Sequence, residues 1–260
     1  MSKWKRVLIT IGVVVIVGGV YLWLFGVQTA SALIVRYSYR KMPDVAKTPV
    51  RLSDLSISKM PHRQVSYFGY EFELPWDDVD EQKDKTFGTI HVSYSRSGNA
   101  FWFSTFPPKE FVNGIIKMGK LDPQGFKQLY GDEAFESDFA FHENMLQLTP
   151  SKITPFISRR QAVAGSMLLI IKATSMPKAA SGIFSIQAPG FEGFQFENPQ
   201  ARPSRITDEL YSNDGGIELI FFQKADGSAP TLSQAEINRV IQSIRKTQVQ
   251  AVTLNEHAPK

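Results

Sequence analysis

The amino-acid sequence predicts an α+β fold, a mostly antiparallel sheet packed with helices, preceded by one N-terminal transmembrane helix. Three observations carry that expectation. A long apolar run without acid or base opens the chain. Period-two apolar patterns then recur in two blocks whose neighbouring strands are joined by short turns, which implies antiparallel pairing. Between and after these blocks the apolar spacing changes to that of helices.

Residues 7–27 read VLITIGVVVIVGGVYLWLFGV, twenty-one residues without a charge. As a helix they extend about 31 Å, which matches a hydrocarbon core of about 30 Å. Lipid offers the backbone no hydrogen bonds, so a span must be helical however much Val and Ile it holds. Trp4 lies at one end and Tyr21 and Trp23 near the other, where amphipathic rings favour the headgroups. A rival reading is a cleaved secretory signal, with a basic start at Lys3, Lys5 and Arg6 and a small-x-small site at Ala30-Ser31-Ala32. The run exceeds the about 7–15 apolar residues of such signals and ends in the bulky Tyr21-Leu22-Trp23-Leu24-Phe25. A retained signal anchor is therefore expected. Arg36, Arg40 and Lys41 nearly balance the basic residues before the run. The α-amino group and the closeness of Lys5 and Arg6 to the apolar edge favour a cytoplasmic tail over residues 1–6, with the C-terminal domain extracytoplasmic. The lipid bilayer is the first expected partner.

Residues 28–64 read as a juxtamembrane segment and tether. Leu33, Ile34, Val35 and Tyr37 interleave with Arg36 and Arg40, a pattern suited to the membrane interface. Pro43, Pro49 and Pro61 follow, in a tether or a partly docked arm with an edge strand at about 50–57 at most. One globular α+β domain is expected over residues 65–246, and a flexible tail over 247–260.

Within that domain, Phe68, Tyr70, Phe72 and Leu74 alternate along 67–76 as one half-buried strand. Residues 89–95 and 100–106 flank Arg96-Ser97-Gly98-Asn99 as a hairpin. Pro107-Pro108 and Asp122-Pro123 open helices, since proline at a helix start loses no hydrogen bond. Further helical stretches cover 137–148 and 158–176. The second is apolar nearly all round near residues 162–171, too short to cross a bilayer, and reads as the central core helix. Residues 182–187 and 191–197 surround the turn Ala188-Pro189-Gly190. Residues 205–211 and 217–223 surround Ser212-Asn213-Asp214-Gly215-Gly216, a tight hairpin. Ser233 and Glu236 form a capping box before Ile237, Val240, Ile241 and Ile244 at i, i+3, i+4, i+7, the last helix.

The opening aromatic strand ending in Leu74-Pro75-Trp76, and the closing hairpin followed by Ile237-x-x-Val240-Ile241-x-x-Ile244, resemble the MOG1/PsbP-like α/β/α domains in element order. The helical middle over 122–176 departs from that compact pattern. The resemblance implies an interaction module by analogy, and no functional motif is carried over.

Charge and composition exclude several functions. The six basic residues of 1–41 face no acid, so residues 42–260 hold 23 basic and 25 acidic side chains, a net of −2. A domain of that charge has no bulk attraction for phosphate backbones, so nucleic acid is not an expected partner. The absence of cysteine excludes disulfides, thiolate metal sites and a cysteine nucleophile. His62, His91, His142 and His257 fall in no ligand spacing. The acidic run Asp77, Asp78, Asp80, Glu81 and Asp84 has oxygen at alternating positions like a calcium loop. Lys83 and Thr89, however, stand where the loop from Asp78 wants glycine and glutamate, so the run reads as a solvated connection. Ser166 lies within an apolar helix and not at a strand-to-helix turn, and no phosphate-binding glycine loop occurs. Asp208 and Glu209 share a strand and point to opposite faces. No catalytic, cofactor-binding or metal residue is assigned, and no cofactor is expected.

Two aromatic sets remain. Phe101-Trp102-Phe103 must divide between the faces of a strand, and Phe194 and Phe196 share a face that Phe191 does not. An exposed aromatic patch points to a protein partner or small ligand. The expected function is a membrane-anchored extracytoplasmic binding or assembly module. The alternative is an anchored enzyme of hydrolase type with a loop-assembled site. A polar pocket with convergent ionisable groups favours the enzyme, and an aromatic-lined groove favours binding.

Overall fold

The computed structural model describes residues 3–39, 43–60, 63–119, 122–175, 182–197, 199, 204–224 and 231–247. It is α+β, with six α-helices among those residues and a large, mostly antiparallel sheet. His62, His257 and residues 248–260 of the expected tail lie outside the described residues. Where the sequence reading has one body over 65–246, the chain gathers into two compact units. One comprises Met1–Val50, Pro107–Ile183 and Asn213–Gly215; the other comprises Arg51–Phe106, Phe184–Ser212 and Gly216–Lys260.

The first unit is helical. Helix α1, Lys3–Tyr39, is unbroken over 37 residues and long and apolar enough to cross a membrane. It covers the 7–27 run and continues through the stretch read as interfacial. No proline interrupts it before Pro43, and Ala30, Ala32 and Leu33 are strong helix formers. Its later turns are held by packing, with Ala32 and Val35 in the unit's core. Four helices complete the unit: α2 Glu110–Gly119, α3 Pro123–Tyr130, α4 Asp138–Gln147 and α5 Arg159–Ser175. Each of three starts has a side-chain cap. Asp122 accepts from the Gln124 N–H, Ser137 accepts from the Ala140 N–H, and Ser158 and Gln161 bond reciprocally. Phe126, Phe141, Met145, Leu168 and Leu169 form the centre, and the rings of Phe126 and Phe141 stack at 4.6 Å. Helix α5 is buried on one side at Ala162, Ala164, Leu168 and Ile171, while Val163 and Ile170 are exposed. It is a packed helix with one free face, not a fully enclosed one.

The second unit is built on an eight-stranded sheet. Its strands are β1 Val50–Arg51, β4 Lys85–Phe87, β5 Ile90–Tyr94, β6 Ala100–Phe106, β7 Ile183–Ala188, β8 Phe191–Phe196, β9 Arg205–Ser212 and β10 Gly215–Phe222. Their order is β1-β7-β8-β9-β10-β6-β5-β4. A three-stranded sheet joins β2 Gln64–Tyr67, β3 Tyr70–Glu73 and β11 Arg245–Lys246 in the order β11-β3-β2. Helix α6, Gln234–Ser243, starts at the Ser233–Glu236 capping box. Alternation decides the layers. Phe101 and Phe103 of β6, Ile217, Leu219 and Phe221 of β10, and Ile206 and Leu210 of β9 share a core with Phe72 and the Ile237, Val240, Ile241 and Ile244 stripe.

One local reading changes, and one alternative is selected. The single strand over 67–76 is a hairpin, β2 and β3, because Phe68 and Gly69 both adopt positive φ, 49° and 81°, and Tyr67 pairs with Tyr70. Phe72 and Leu74 keep their buried face, and Phe68 moves to the turn. The arm after β1 is docked: Asn238 donates to the carbonyls of Asp54 and Ser56, and Arg239 to that of Ser58.

Candidate functional site

One face of the sheet's β4–β5–β6–β10 end carries an apolar groove of about 480 Å³, lined by Phe87, Ile90, Val92, Tyr94, Ala100, Trp102 and Phe222. Strand alternation builds it. On β5, His91 and Ser93 are buried on the core face, which turns Ile90, Val92 and Tyr94 to the other side. On β6, Phe101 and Phe103 are fully buried, so Trp102 is the member of that triplet that faces the groove.

Register then sets rows across the sheet. Phe87 pairs with Ile90. Val92 pairs with Trp102, which in turn pairs with Ile220. Tyr94, Ala100 and Phe222 form the next row. Ala100 is the small residue between two rings, and its short side chain leaves the depression that the larger ones enclose. The volume lies within the range of about 300–1,000 Å³ typical of small-molecule sites. β4 is the sheet's edge, and Phe87 on it is 59% exposed, so the groove opens to solvent there.

Polar atoms in the lining are few. The Trp102 Nε1–H is buried without an acceptor among the described residues. An unpaired buried N–H costs about 1–3 kcal/mol. Tyr94, whose hydroxyl can donate and accept, is among the lining residues. At the margin, the Arg205 guanidinium lies 6.0 Å from the Phe222 ring centre. One row beyond Trp102, Ser104 donates to Glu218 at 3.3 Å. Burial first, then the charge of Glu209, raises the Glu218 pKa.

The residues weighed for chemistry are placed apart from the groove lining. His91 is stacked on Tyr67 at 3.6 Å between ring centres, with its ring nitrogens 2.8 Å from Thr86 Oγ1 and 3.2 Å from Ser93 Oγ. Burial lowers its pKa, against the pull of Asp84. His142 is buried beside Phe111. Four of the acids of 77–84 take separate partners. Asp78 accepts from the Ser97 N–H and Asp84 from the Tyr94 N–H, while Asp80 pairs with Lys83 and Glu81 with Arg63. Ser166 donates to the Ala162 carbonyl within α5. Asp208 and Glu209 do take opposite faces: Asp208 is fully buried between Ile206 and Leu210, and Glu209 accepts from the Tyr211 hydroxyl. Phe191, Phe194 and Phe196 are all buried.

Sequence reasoning raised Trp102 and left Phe87, Ile90, Val92, Tyr94, Ala100 and Phe222 unassigned. The signal was present in the Ile90-x-Val92-x-Tyr94 alternation, whose apolar members sit opposite the polar His91 and Ser93. Comparison with protein-family models, with curated proteins and with solved structures finds no match. The likeness to MOG1/PsbP-like domains thus rests on element order alone.

Proposed function

We propose that this chain is a single-pass membrane protein whose sheet unit is an extracytoplasmic binding module, taking a ligand with an apolar, ring-sized body into the Trp102 groove. The observation that carries the reading is the groove itself: an open, ring-lined depression of about 480 Å³. Such a surface binds by area and shape. It is the aromatic-lined arrangement that favours binding over the loop-assembled enzyme.

Retention of α1 as an anchor is supported by its packing. A cut after Ala32 would separate Gln28 and Ala32, both buried, from the unit whose core Ala32 helps to form. The cytoplasmic N-terminus rests on Lys3, Lys5 and Arg6 against the apolar edge. An enzymatic reporter fused after Lys260 is expected to work only outside the cytoplasm, and activity confined to the cytoplasm would reverse the orientation.

The groove is tested by calorimetry of the full chain in lipid nanodiscs with naphthalene sulfonate as the probe. Trp102→Ala removes the wall, and Ala100→Trp fills the depression. Each is expected to weaken binding at least about tenfold, as loss of a central aromatic contact does. Unchanged heats in both variants would remove the groove from the function.

A further inference from the structure

We infer that the helical unit lies in the interfacial layer of the bilayer, with the outer faces of α1 and α5 and the Phe156 loop against lipid headgroups and upper acyl chains. This rests on the reading of α1 as a membrane span, and it replaces a tether with direct seating.

No charged residue stands between Arg6 and Arg36, a helical rise of about 43 Å against a hydrocarbon core of about 30 Å. That rise instead matches the bilayer with its headgroup layers, about 40–45 Å. The surplus turns are those that carry Gln28, Ala32 and Val35 into the unit's packing. Because α1 is continuous, a span seated between its two charged ends brings this packing to the headgroup level.

These turns also present an apolar outer surface. Gln28, Ala32, Val35 and Tyr39 recur at helical spacing on the packed side. On the opposite side Leu33, Ile34 and Tyr37 are 63%, 64% and 68% exposed. A helix bounded by protein on one side and water on the other would carry polar residues there. Helix α5, which packs on α1, exposes Val163 and Ile170 on its own free face. Just before α5, Phe156 is 82% exposed and is followed by the exposed Arg159 and Arg160. An aromatic ring beside two guanidinium groups suits the boundary between acyl chains and phosphates. Continuity with the apolar span on the same helix makes lipid the occupant of this surface.

The chain has no cysteine, so single reporters can be placed without background. Full-length Val14→Cys, Phe156→Cys and Ile170→Cys proteins, each at an exposed site, are labelled with bimane. They are reconstituted in vesicles of phosphatidylcholine and phosphatidylglycerol. Nitroxide-labelled lipids carry the quencher near the headgroup or near the bilayer centre, and iodide quenches from water. The expected result is loss of emission at 156 and 170 to the shallow nitroxide, and at 14 to the deep one. Quenching at 156 and 170 by iodide alone, with 14 still quenched from the bilayer centre, overturns the interfacial seating and leaves the span intact. Protection of 156 and 170 from every quencher assigns the surface to a second copy or another protein and also overturns it. Failure of both nitroxides at position 14 removes the span itself.

Discussion

Truncation of Lys172 to alanine is expected to destabilise the full chain in mild detergent by about 3 kcal/mol or more, read as a shift of urea unfolding followed by helical circular dichroism. Lys172 sits on α5 with no exposed surface. Its Nζ donates to the carbonyls of Lys47, Leu146 and Leu148 at 2.7, 2.6 and 2.8 Å. An ammonium has three donors, and each has an acceptor here. Leu146 lies in the last turn of α4 and Leu148 caps it, where helix carbonyls lack partners in their own helix and the helix dipole favours a cation. The side chain therefore ties the end of α4 and the segment before β1 to α5. Alanine would orphan the three carbonyls and leave the space of the aliphatic stem empty. Methionine keeps most of the volume, so its loss should be the smaller.

A pH signature separates this role from simple packing. Burial, with a smaller contribution from Lys152, lowers the Lys172 pKa to about 8. In the unfolded chain a lysine titrates near 10.4. Between those values the unfolded state binds the extra proton, so stability rises with pH across about pH 8 to 10. The wild type should gain about 2 kcal/mol over Lys172→Met in that window. A difference that stays flat would mean the amine is not desolvated as the geometry requires.

What could be read from the sequence was local, and what could not was a matter of which distant elements meet. The capping box at Ser233 and the stripe from Ile237 to Ile244 define α6 without any tertiary information. The hairpin around Arg96–Asn99 follows from two alternating runs and four turn residues, and β5 pairs with β6 as expected. The Phe68-Gly69 turn was hidden because an aromatic residue completed a period-two pattern that a glycine in fact breaks. The far end of α1 was hidden by Gln28, Thr29 and Ser31, which read as the close of a span. They are tolerated because the helix there rests on protein. The pairing of β10 with β6, and so the groove that joins Phe222 to Trp102 and Val92, depends on strands more than a hundred residues apart. Nothing in either strand names its neighbour. Lys172 and Asp208 each interrupt an apolar pattern, at Leu168-Leu169-Ile170-Ile171 and at Ile206-x-Asp208-x-Leu210. Such an interruption is itself a signal that a buried polar group needs an account.

For Asp208 the effect changes sign: Asp208→Asn should make the protein more stable near neutral pH. The carboxyl is fully buried on the core face of β9, and neither oxygen has a partner among the described residues. The polar side chains on that face bond among themselves. Its cross-strand neighbour Gln195 donates to Gln234 and to the Glu197 carbonyl, and Gln234 donates to Gln195 and Asn238. Asn238 in turn donates to the docked arm at Asp54 and Ser56. Burial first, and then the charge of Glu209, raises the Asp208 pKa well above the ordinary carboxylic value. The native state therefore holds a proton that the unfolded state releases from about pH 4 upward. The stability this proton represents is complete below that pH and is lost as pH rises toward the native pKa. Relative to Asp208→Asn, the wild-type folding constant should fall by about tenfold per pH unit across this range. Urea unfolding of both proteins between about pH 5 and pH 7 measures the divergence, and His91 and the exposed acids cancel in the difference because both proteins contain them. Parallel pH profiles would show that Asp208 ionises freely, which a carboxyl enclosed by Ile206, Leu210 and the α6 layer has no means to do.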